Sequence, residues 1–137
     1  MSALSQIAPP GGQLTPKQTA ELISRACPED RYRGKKVLLI VPDATRTAPV
    51  GLLFQTLHRQ IGVATRTFDV LVALGTHPPM SEAAICDRLE ISVEERKAAY
   101  GRVRFFNHSW NEPKTLQRIG VIPAAEISQL SGGLFSM

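Results

Sequence analysis

Two short apolar runs, Val37-Leu38-Leu39-Ile40-Val41 and Phe68 to Leu74, restrict what this chain can fold into more than any other feature. Five consecutive apolar residues, mostly branched, suit a strand covered on both faces, as in a parallel sheet. Between the runs lies a helical pattern. Pro49 marks its start, and Val50, Leu53, Phe54, Leu57 and Ile61 recur at spacings of three and four. Gly62 is placed to stop it. Ser81 predicts a further helix cap, with Glu82 in the first turn. Ser92 with Glu95 predicts a capping box, and Val103 to Phe106 a third strand. Strand, helix, strand, helix, strand calls for right-handed crossovers. The expected class is α/β: a Rossmann-like three-layer domain with a mainly parallel sheet and flanking helices.

A polar block follows each of the first two runs: Pro42-Asp43-Ala44-Thr45-Arg46 and Gly75-Thr76-His77-Pro78-Pro79-Met80. If the strands are parallel, both blocks emerge at one sheet edge, where open α/β sheets bind ligands. Asp43, Thr45, Arg46 and His77 then converge on a shared crevice. Asn107-His108-Ser109-Trp110 follows the third strand on the same edge.

Each block also has a plainer reading. Asp43 and Thr45 can bond backbone amides in a turn. Arg46 is harder to assign that way, because a cation near a helix start opposes the helix dipole. Its planar fork suits a carboxylate or phosphate. His77 is held by two following prolines, which stiffen the loop and can fix an imidazole for proton transfer. A loop histidine can equally be an ordinary hydrogen-bonded residue. His108 reads as a ligand contact or as a backbone-bonded side chain, and Trp110 as a cover for the crevice or as packing. His58 reads as structural.

With 137 residues the chain fits one domain with a real core. Residues 1–14, with Pro9-Pro10-Gly11-Gly12, read as a flexible lead-in. Thr15-Pro16 opens the first helix, which Pro28 ends, and residues 15–137 form the α/β domain. Leu116 to Ile119 reads as a short edge element. The apolar close after Gly132-Gly133 reads as the end of a fragment.

The net charge of +4 is scattered, and aromatics make up 6%, so nucleic acid is an unlikely partner. Cys27 and Cys86 show no metal-ligand spacing and read as buried, inert thiols in a reducing cytoplasm. There is no signal-like start, and no apolar run approaches the roughly 18 residues of a membrane span. Dinucleotide-fingerprint, phosphate-loop and serine-elbow motifs are absent, and three histidines without close pairing do not make a zinc site.

Taken in order, Pro42-Asp43-Ala44-Thr45-Arg46, Ala73-Leu74-Gly75-Thr76-His77-Pro78-Pro79-Met80-Ser81-Glu82, Asn107-His108-Ser109-Trp110, Ile119-Gly120 and Ser131-Gly132-Gly133 resemble the N-terminal part of the nickel-pincer lactate racemase family. The resemblance implies an isomerase that racemizes or epimerizes a small 2-hydroxy acid with a nickel pincer nucleotide. It implies His77 as one of two acid/base histidines and Arg46 as the group that holds the substrate carboxylate or another anionic group at the site. Asp43, Thr45, Gly75, Thr76 and His108 would line the substrate and cofactor pocket. No residue of this chain is expected to ligate metal or carry the cofactor covalently. The family's second catalytic histidine, its cofactor-bearing lysine and its nickel-binding histidine would lie in a C-terminal domain beyond residue 137, so the chain alone is expected to be inactive. Homo-oligomerization is compatible with this reading. Thr47 stands where the family commonly has proline, and Pro78 where it commonly has a basic residue. The competing readings are a non-catalytic α/β module that binds a small anion and, further off, a basic interaction domain.

Overall fold

The computed structural model describes residues 4–135. Three strands, β1 (Lys36–Pro42), β2 (Thr67–Ala73) and β3 (Phe105–Asn107), form one parallel sheet in the order β1-β2-β3. The helices are α1 (Pro16–Ala26), α2 (Val50–Leu57), α3 (Glu82–Arg88), α4 (Val93–Ala98) and α5 (Ala124–Leu130). The fold is the Rossmann-like open α/β arrangement, a parallel sheet flanked by helices.

Local chemistry sets most helix starts. Thr15 and Gln18 form a reciprocal capping box on α1, as do Ser92 and Glu95 on α4. Ser81 accepts from the Ala84 amide at the start of α3. Gly62 does something other than stop α2 in a left-handed turn. The helix runs on as a single π-type turn, His58–Gly62. A Cβ on Gly62 would lie 2.6 Å from His58 Cδ2, so the glycine makes room for the imidazole. That ring stacks edge-on against Phe68 and Tyr100, and its burial lowers the His58 pKa.

Because the chain steps from β1 to β2 to β3 in one direction, right-handed crossovers place α2 and the α3–α4 pair on the same face. One hydrophobic core results, joining Val50, Phe54 and Ile61 to Phe68, Val70 and Val72, and these to Ile85 and Leu89. The expectation that β1 is covered on both faces fails within this chain. Leu38 is 52% and Ile40 61% exposed, and Phe106 on β3 is 41% exposed. Ile40 pairs with Leu71, and Leu71 with Phe106, so exposed Ile40 and Phe106 flank a half-buried Leu71 in an apolar row across all three strands. Burial is set by topology here, and the composition of the run could not report it.

Three smaller expectations also shift. The third strand begins at Phe105, because Val103 is used in a turn that bonds back to Tyr100. Leu116 to Ile119 pairs with no strand, since the chain leaves the sheet through a 3-10 turn at Pro113–Thr115. Cys86 is buried, but Cys27 is only half-buried and accepts a hydrogen bond from Tyr32.

Candidate functional site

The strand register decides where the polar blocks go. Pro42 pairs with Ala73, and Val72 with Asn107, so all three strands finish at one sheet edge. The loops that follow begin side by side. Asp43, Thr45, Arg46, Gly75 and His77 line one cleft of about 340 Å³, with Ile40 and Leu74 among its apolar walls. Thr76 and His108 lie outside that lining. The His108 amide donates to Val72 O and continues the sheet, and Trp110 is 41% exposed.

Asp43 organizes the cleft. Its Oδ1 accepts from the Thr45 amide at 3.1 Å and from Thr45 Oγ1 at 2.6 Å. Its Oδ2 meets His77 Nδ1 at 2.5 Å, across 34 residues of sequence. The Thr45 hydroxyl, followed by His77, stabilizes the ionized carboxyl and lowers its pKa to about 2, against the opposing effect of burial. An ionized carboxylate only accepts, so the proton of a neutral His77 ring sits on Nδ1. The Nε2 lone pair is then free on a ring whose side chain is 53% exposed, while the Asp43 side chain is 9% exposed. A sheltered acid thus orients an accessible base, the pairing used for general base catalysis.

The His77 loop is shaped by a tight turn. The His77 amide donates to Leu74 O at 3.0 Å, and Gly75 takes φ +59°, a conformation costly for residues with a Cβ. The far end of the loop is tied down by Asn107. Its amide accepts from Met80 N at 3.0 Å and donates to Met80 O at 2.9 Å. Arg46 sits in the β1–α2 loop, four residues before α2 begins. Its guanidinium has no hydrogen bond or ion pair among the described residues. A loop that brings an unpaired arginine to the same cleft as an accessible imidazole nitrogen is suited to hold a small carboxylate while a hydroxyl is deprotonated.

The model for the lactate racemase N-terminal domain matches residues 18–128, a span that contains every residue of this cleft. The chain belongs to that family. Its fold is also similar to a crystal structure of a protein from Thermotoga maritima, with 33% identity and a TM-score of 0.72. That match covers 88% of this chain and 27% of the other, so the chain spans about a quarter of that relative's length. A comparison with curated proteins found no match.

Lactate racemases imply a nickel-pincer cofactor, and the cleft can be tested for it. Among the described residues no group of three or more His, Cys, Asp or Glu side chains is placed to hold a metal. No lysine lines the cleft, and the Asp43 oxygens are already engaged by Thr45 and His77. The residues present therefore do not by themselves form a seat for the group. They offer an acid/base pair and an anion-binding cation. No helix among the described residues is long and apolar enough to cross a membrane.

Two features of this site were beyond sequence reasoning. The Asp43–His77 partnership depends on register, and its available signal was that each residue follows a strand end by only a few positions. The loop-holding role of Asn107 left no signal, because its bonds go to main-chain atoms.

Proposed function

We propose that this chain supplies one wall of the active site of a 2-hydroxy acid racemase or epimerase. The observation that carries the reading is that the Asp43–His77 pair and an unpaired Arg46 line one cleft. Arg46 holds the substrate carboxylate through paired N–H donors. His77 Nε2 takes the proton from the oxygen of the hydroxyl borne by the carbon to be inverted and can return it to that oxygen, while Asp43 holds the ring. In such an enzyme a nickel pincer nucleotide, when bound, would supply the hydride chemistry, and the cleft residues of this chain would supply only the acid/base group and the cation. The exposed Leu38, Ile40 and Phe106, with half-buried Leu71 between them, support the same reading, because an apolar face of this kind is normally covered by further polypeptide.

The test is made in the full-length, cofactor-loaded protein. His77→Ala is expected to abolish interconversion of D- and L-lactate, read by circular dichroism, without unfolding the domain. Unchanged turnover would overturn the role of His77. The unpaired Arg46 also favours a second reading, a non-catalytic module for small anions. On that reading the 137-residue chain alone binds lactate-like acids without nickel, and Arg46→Ala removes the heat of binding in a titration.

A further inference from the structure

The loop that carries Asp43 and Arg46 is held from outside. Arg88, the last residue of α3, reaches across to it with a half-buried side chain. Arg88 Nε donates to Pro42 O at 3.3 Å, and Nη2 donates to Arg46 O at 2.8 Å. One guanidinium therefore bridges the first and last residues of the Pro42–Arg46 block. Within that span lies the carboxylate that orients His77, and its far end is Arg46, which lines the same cleft.

The residue type matters. A guanidinium presents several N–H donors in a rigid plane, so two carbonyls can be bridged at fixed separation. An ammonium is a compact donor on a flexible stem and cannot impose that separation. Charge-assisted bonds are stronger than neutral ones, and partial burial limits competition from water. The location also suits a cation, because the end of α3 is the negative pole of its helix dipole. Stabilizing the helix end would not by itself require both bonds to reach a loop more than forty residues earlier.

We propose that Arg88 is a positioning residue of this site, fixing the Pro42–Arg46 loop so that Asp43 meets His77 and Arg46 lines the cleft. Its kinetic consequence rests on the racemase reading above; its geometric consequence does not. Arg88 touches no reacting atom in this account. It acts through the backbone of the loop, so a change at Arg88 alters how Asp43 is seated before it alters anything else at the site.

The experiment follows the Asp43 carboxyl carbon by ¹³C NMR through an acid titration of the 137-residue chain, for the unaltered protein, Arg88→Met and Arg88→Lys. Thermal unfolding is recorded alongside. Asp43 is expected to titrate at about 2 in the unaltered protein. In Arg88→Met it is expected to rise by about one unit or more toward the ordinary carboxylate value, with Arg88→Lys between them. A residue that merely stabilized α3 would lower the melting temperature and leave Asp43 where it was. If Arg88→Met does not fold, Arg88→Lys, which keeps the charge and one bond, carries the test. Asp43 still titrating at about 2 in the folded variant overturns the proposal. In the full-length enzyme, Arg88→Met is expected to raise KM for the hydroxy acid roughly tenfold or more through misplacement of Arg46. A shifted Asp43 in a full-length protein that racemizes no hydroxy acid would leave the clamp standing and reject the functional reading.

Discussion

Replacing Asp43 with asparagine tests the core of the site with almost no change in shape. The hydrogen bonds dictate how the amide must lie. Thr45 N donates to the Oδ1 position, and a backbone N–H can only donate, so the asparagine oxygen must occupy that position. The amide nitrogen then takes the other position, 2.5 Å from His77 Nδ1 in the parent geometry. Two N–H groups cannot face each other there. Nδ1 must become the acceptor, and the ring proton moves to Nε2, which can then no longer receive a proton from substrate. In the serine-protease triad, where the histidine is well sheltered, the same exchange costs about 10⁴-fold in turnover. The His77 side chain is 53% exposed, so water competes for the ring and weakens the tautomer lock. A loss of roughly 10²–10³-fold in kcat is therefore expected in the full-length enzyme, with KM little changed because Arg46 is untouched. Turnover is followed by circular dichroism of D- and L-lactate. The tautomer is read independently from the ¹⁵N shifts of His77 in the 137-residue chain at neutral pH. The reasoning is refuted if the folded variant keeps its proton on Nδ1, or if it turns over undiminished.

Further expectations concern the frame of the site. Gly75→Ala meets no atom within 4 Å of its new Cβ but must hold φ +59°, so urea denaturation should show a loss of about 1–2 kcal/mol from strain alone. Phe54→Ala removes a fully buried ring packed against Phe68 and Tyr100, and the same assay should show a loss of about 3–5 kcal/mol. Burial depresses the pKa of His58 in the folded state, so the unfolded chain binds its proton more readily. Stability from this group is complete above the unfolded value of 6.5 and is lost as pH falls below it. His58→Gln should flatten the melting temperature between neutral and mildly acidic pH, and an unaltered slope would show that other groups cause it.

Much of this fold was legible because its signals are local. Val37 to Val41 is too short and too branched for a helix, and Thr15, Ser81 and Ser92 cap helices by chemistry confined to a few residues. The polar blocks were legible as a site because parallel strands must end at a common edge. Other features depend on where distant elements lie. Leu38 and Ile40 look like core by composition, yet the one-directional strand order puts the flanking helices on their opposite side. Gly62 looks like a helix stop, yet its use is set by the His58 ring one π turn away. His108 follows a strand as His77 does, but its amide is spent on extending the sheet and it stands apart from the cleft lining. Arg88 and Asn107 could not be read as site residues, because bonds to carbonyls and amides leave no trace in the identity of the partner.

That last property bears on how such a site can diversify. Arg88 grips Pro42 and Arg46 by their carbonyl oxygens, and Asn107 grips Met80 by its main chain. The side chains of Ala44, Thr47 and Pro78 make none of these bonds. Loops fastened through their backbones can exchange such side chains while their path stays constant. Thr47 and Pro78, which the sequence resemblance leads one to expect as departures from the family's usual residues, are positions of this kind. On the proposed function, substrate preference and catalytic geometry would be separable under mutation: the first could drift at unfastened positions, while the fasteners would keep the second.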